Sequence, residues 1–184
     1  MASCKKGTEN KTQLPKSDFN LKTDLTDFKN KMTELDTINL WIDHSICTYS
    51  GSERIEITRH ADSIKIRTEF NEEMFIENPK WEFVYEKTVP INDTVWKIEE
   101  FFKMNSERQK PEEDNRIIFQ ARHKGNKVRY YSNGLSDLNK FMADFFGTMK
   151  MLYPENKNNI YGVEIVEIVN LNDGEIKASE LETE

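Results

Sequence analysis

The chain has 184 residues, of which 36% are hydrophobic, 32% charged and 11% aromatic. That length holds one domain with a sizeable core and is short for two. Its 11 Phe, 6 Tyr and 3 Trp are anchors that disordered chains lack. With 26 basic against 33 acidic side chains the formal charge is -7, which repels phosphate backbones and argues against nucleic acid as a partner. The same acidity favours encounter with a basic protein, although solubility alone also accounts for it. The two cysteines, Cys4 and Cys47, make neither a disulfide framework nor a four-cysteine zinc site. No run approaches the roughly 18 apolar residues of a membrane span.

Residues 5–17 are polar, without periodicity, and end in Leu14-Pro15-Lys16-Ser17. They read as a flexible tether, so the expected organisation is a tether over 1–17, one domain over 18–170 and an acidic frayed tail over 171–184. Ala2-Ser3-Cys4 resembles the end of a bacterial lipobox, where small residues precede a Cys and a polar linker follows. In that family the Cys becomes the lipid-bearing first residue. The resemblance implies lipid attachment at Cys4 and a periplasmic or outer-membrane-tethered protein. The hydrophobic stretch that precedes the Cys in that pattern is missing here, and the alternative is a cytoplasmic N-terminus that contains a cysteine.

Leu21, Leu25, Phe28, Met32 and Leu35 fall at spacings of 4, 3, 4 and 3, which predicts one amphipathic helix capped by Ser17 or Asp18. Residues 40–49 are apolar and rich in strand formers. Residues 54–59 and 63–70 alternate around His60-Ala61-Asp62 and predict a β-hairpin. Residues 80–89 form a further strand with Trp81, Phe83 and Tyr85 on one face. A helix over 92–104 presents Val95, Ile98, Phe101 and Phe102. A charged loop over 106–115 leads to a second hairpin, 116–122 and 127–131, turning at Lys124-Gly125-Asn126. A helix over 136–152 follows, stopped by Pro154, and 161–169 reads as a last strand.

The two hairpin-plus-helix segments echo one another. Lys65-Ile66-Arg67 matches Lys127-Val128-Arg129, and the Asp93–Phe101 spacing equals that of Asp137 and Phe145. A unit used twice, or convergence of amphipathic patterns, accounts for this. Either gives an α+β fold: a two-layer sandwich with an antiparallel sheet and helices on one face. Trp81, Phe83, Phe101, Phe102, Phe119, Phe141, Phe145 and Phe146 are the expected core.

Catalytic signatures are missing. There is no Gly-x-Ser-x-Gly elbow, P-loop or dinucleotide fingerprint, and no paired His/Cys spacing that suggests a metal site or cofactor. His44, His60 and His123 read as exposed turn residues, and Asp43 and His44 point to opposite faces of a strand. The outer sheet face is expected to carry Arg54, Glu56, Lys65, Arg67, Glu69, Glu82 and Glu86 in solvated ion pairs. Two acidic loops are the candidate partner-binding elements. One places Met74, Phe75 and Ile76 among Glu72, Glu73 and Glu77, and the other is Glu112-Glu113-Asp114. Small acidic α+β domains without visible chemistry resemble bacterial immunity and inhibitor proteins. The resemblance implies a non-enzymatic protein-binding domain that neutralises a toxin or effector. An enzyme with unfamiliar carboxylate or His chemistry, or a component of an envelope complex, are the alternatives.

Overall fold

The computed structural model describes residues 16–45, 49–72, 80–111 and 115–162. The tether through Pro15, Cys4, Cys47 and everything beyond Gly162 lie outside the described residues, so only Tyr161 and Gly162 of the expected last strand are seen, in a turn. The described chain is an α+β sandwich. Six strands form one antiparallel sheet: β1 (Thr37–Asp43), β2 (Gly51–His60), β3 (Ser63–Glu72), β4 (Glu82–Pro90), β5 (Arg116–His123) and β6 (Asn126–Ser132). Their order is β4-β3-β2-β1-β5-β6, so the two hairpins flank β1. Inward positions Ile38, Leu40, Ile42, Ile55, Ile57, Ile64 and Ile66 are fully buried or nearly so, as strict alternation requires when one face is covered.

Helices α3 (Ile98–Met104) and α4 (Gly134–Leu152) lie on that inner face. Phe102 packs on Phe119 of β5, Phe141 on Tyr130 of β6, and Phe101 meets Phe145 across the helices at 5.7 Å. The tight β5–β6 turn uses Lys124 and Gly125, both at positive φ, which matches the twist of the flanking strands.

Four expectations need correction. The first helix is broken into α1 (Leu21–Asp24), one 3-10 turn (Leu25–Asp27) and α2 (Phe28–Lys31). Its Thr and Asp side chains compete for backbone groups, and Leu35 is 48% exposed beyond its end. Asn20 is its cap, accepting from Lys22 N at 3.1 Å, while Ser17 turns to Asp36. The second helix starts only at Ile98. Asp93 accepts from Trp96 N at 2.8 Å and the buried Lys29 amine takes the carbonyls of Asp93 and Trp96, which keeps 93–97 out of helical bonding. Trp96 is therefore buried and Val95 exposed.

Trp81 and Phe83 do not join the core. A β-bulge between β3 and β4 pairs Tyr85 with Thr68 but Phe83 with Glu69. The extra residue, Val84, sends Tyr85 inward and Phe83 outward, where it is 53% exposed. Finally, of the three histidines only His60 is exposed, whereas His44 and His123 are buried.

Candidate functional site

Two features stand out: a groove on the sheet face opposite the described helices and a buried polar relay at one end of the sandwich. The face follows from register. In the row across β5, β1, β2, β3 and β4, Gln120, Trp41, Arg54, Glu69 and Phe83 are neighbours. In the next row, Arg122, Asn39, Glu56, Arg67 and Glu86 are neighbours. A groove of about 560 Å³ runs between these rows, walled by Trp41 and Trp81.

Arg54 anchors the groove. Its Nε donates to Glu69 at 2.5 Å, and its guanidinium lies 4.5 Å from the centre of the Trp81 ring. Arg67 donates to the other Glu69 oxygen at 3.0 Å and covers the Phe83 ring at 5.0 Å. Burial works to raise the Glu69 carboxyl, but hydrogen bonds and charge from Arg54 and Arg67 hold it below the usual range. The two guanidiniums thus stack on rings while sharing one carboxylate. Arg122 and Lys127 are register partners across β5 and β6, and their side chains have no ion pair or hydrogen bond among the described residues.

The expected outer charges are therefore present, except Glu82. Its register partner is the inward-phase Phe70, and it lines a different cavity. Sequence alternation placed Arg54 and Arg67 on this face. It did not place Trp81 and Phe83 beside them, because no sequence pattern marks the bulge at Val84.

The relay lies on the inner side. Glu53 is 0% exposed, at the inward phase shared by Ile55 and Ile57. Tyr161 Oη donates to Glu53 Oε1 at 2.5 Å, and His44 Nε2 lies 2.9 Å from Oε2. The single Tyr161 O–H is engaged by Glu53, so in the 2.8 Å bond between the two phenols Tyr161 Oη accepts and Tyr85 Oη donates. Burial first, and then the Glu53 charge, push the Tyr85 and Tyr161 phenols well up. Phe70, Phe145 and Phe146 surround the His44 ring. His44 also lines a cavity of about 590 Å³, together with Tyr49, Glu72, Lys80, Glu82 and Ile160.

The strand expected over 54–59 left Glu53 out; the signal for it is the inward phase it shares with Ile55, two residues on. Tyr161 had no such signal. Asp43 and His44 do diverge as expected, with Asp43 on the outer face bonded to Arg116. Of the two candidate acidic loops, Glu72 is exposed at the end of β3 on the rim of this cavity. Glu73, Met74, Phe75, Glu77, Glu112, Glu113 and Asp114 lie outside the described residues, as does Cys4. No group of His, Cys, Asp and Glu suited to a metal ion occurs among the described residues.

Fold and site together define a two-layer α+β sandwich with no helix on the outer sheet face among the described residues. Set against family models, curated proteins and solved structures, the chain matches none of them. Among the described residues no helix is long and apolar enough to cross a membrane.

Proposed function

We propose that this chain is a non-enzymatic protein-binding domain of the immunity or inhibitor kind, which neutralises a toxin or effector by covering it with its open sheet face. One observation carries this reading: a groove on the outer face lined by Trp41, Trp81 and the stacked Arg54 and Arg67, with the exposed Phe83 beside it. Interfaces are enriched in aromatic residues and Arg, and their energy concentrates in such rigid anchors. The lipobox-like Ala2-Ser3-Cys4 supports a lipid tether, which would hold the domain at the periplasmic or outer-membrane surface where an incoming effector arrives.

The test is protection. Co-expression with the product of the adjacent gene should rescue growth and yield a complex, and Trp81→Ala with Arg54→Ala should abolish both. Rescue that survives this pair of changes, or no complex at all, removes the reading. Incorporation of labelled palmitate into the native gene product, lost in Cys4→Ala, tests the tether.

A second reading, an enzyme using His-based chemistry, is favoured by His44 lining a cavity with the Glu53 carboxylate behind it. There His44 would exchange protons with a substrate and Glu53 would orient its ring. Hydrolysis across a panel of chromogenic esters, lost in His44→Ala, supports it. No turnover by the unaltered chain counts against it.

A further inference from the structure

The net charge of -7 makes a basic partner the first expectation, yet the open face carries the opposite sign. The groove walled by Trp41 and Trp81 is lined by Arg54, Arg67 and Arg122 against Glu56 and Glu69. A second groove of about 430 Å³, beside edge strand β6, adds Lys22, Lys127 and Arg129 and no carboxylate. The two linings meet across the β5–β6 pairing, where Arg122 of one lies opposite Lys127 of the other. Together they hold six cations and two carboxylates. One of those carboxylates, Glu69, is already held by Arg54 and Arg67. Arg129 donates only to the neutral Gln120, and Arg122, Lys127 and Lys22 have no ion pair among the described residues.

We infer that the segment received by this face is acidic: a carboxylate-bearing stretch of the partner protein, laid from the Trp81 groove across β1 and β5 to the β6 edge. This rests on the protein-binding reading above and specifies its partner. Charge complementarity carries it. Arg122 and Lys127 are the free donors for carboxylates, while Trp41 and Trp81 give the segment apolar walls. A nucleic acid fits less well for two reasons. The Trp81 and Phe83 ring faces are already covered by guanidiniums, so they do not offer bases a stacking platform. The whole-molecule charge repels a long polyphosphate but hardly opposes a short acidic segment that meets only the local patch.

The chain reports on its own occupancy. Two of its three tryptophans, Trp41 and Trp81, line the groove, and Trp96 is buried. Titration with a Glu/Asp-rich peptide of about a dozen residues should change the tryptophan emission saturably. The response should weaken at least about tenfold between low and physiological salt. Arg122→Glu with Lys127→Glu should weaken it at least about tenfold again, and Arg122→Gln by less, in chains whose thermal unfolding is unchanged. No response to the acidic peptide, or an equal response to a Lys-rich peptide, overturns the inference. So does a stronger response to an oligothymidylate of equal charge, which would point to nucleic acid. The two readings separate cleanly. A saturable peptide response without growth rescue removes the inhibitor reading alone. Growth rescue that is unaffected by Arg122→Glu with Lys127→Glu removes the acidic-segment inference alone.

Discussion

Glu53 is a costly side chain to bury, a carboxylate with no exposure on a strand whose next two inward positions are Ile55 and Ile57. An unpaired charge there would cost several kcal/mol, and the Tyr161 hydroxyl and the His44 ring offset that cost. Tyr161→Phe should therefore destabilise by about 1–3 kcal/mol, because it strands a buried acceptor while hardly changing shape. In Glu53→Leu the acceptor is gone, so adding Tyr161→Phe should cost clearly less than it does alone. Urea unfolding of the four chains in this cycle measures the coupling, and additive losses would mean that the bond contributes nothing. Asp36 is the second buried carboxylate. Burial works to raise it, yet bonds from Lys124, Ser17 and Thr33 outweigh that and hold it at about 2, against an ordinary 3.8. A lowered value stabilises the fold above the ordinary pKa, and the contribution fades as pH falls from about 4 towards 2. Asp36→Asn should cost about 2 kcal/mol at pH 7 and less than about a quarter of that near pH 2, read from unfolding midpoints across this range. A gap independent of pH would remove the ionic account.

At the scale of elements, strands were the most legible part. Alternation placed both hairpins to within a few residues, because a half-covered sheet enforces a period of two. It misled where one residue was inserted. The bulge at Val84 moves Phe83 from the expected core to the surface, and this difference is measurable. Phe101→Ala should cost about 3–5 kcal/mol, as for a fully buried ring, whereas Phe83→Ala should cost under about 1 kcal/mol. Equal losses in thermal or urea unfolding would restore the simple alternation. Helices near the N-terminus were less legible because their ends are set by distant partners. Glu99 accepts from Lys29 N at 2.9 Å, and the Lys29 amine bonds Trp96 O at 3.2 Å, contacts between segments some 70 residues apart. The candidate face was half legible. Its arginines followed from alternation, but its aromatic walls depend on the bulge, and the relay depends on Tyr161 folding back beneath β2.

For the whole molecule, β1 is the axis on which both buried carboxylates converge. It lies between β2 and β5, with Asp36 immediately before its first residue and His44 immediately after its last. Asp36 gathers Ser17, Thr33, Lys124 and His123, whose Nε2 lies 3.3 Å from it, and so ties the N-terminal segment to the β5–β6 turn. Glu53, reached through His44, gathers Tyr161 and Tyr85 and ties the segment after α4 to β2 and β4. The seven residues of β1 separate the two clusters by roughly 23 Å, at about 3.3 Å per residue. Sites so far apart with no shared partner add within about 0.5 kcal/mol. Asp36→Asn combined with Tyr161→Phe should therefore lose the sum of the two single losses, in contrast to the strong coupling expected between Glu53 and Tyr161. The comparison is valid if unfolding is two-state, which coincident fluorescence and circular dichroism transitions establish. A combined loss departing from the sum by more than about 1 kcal/mol would mean that β1 transmits strain between its ends. The open face above it would then respond to both clusters.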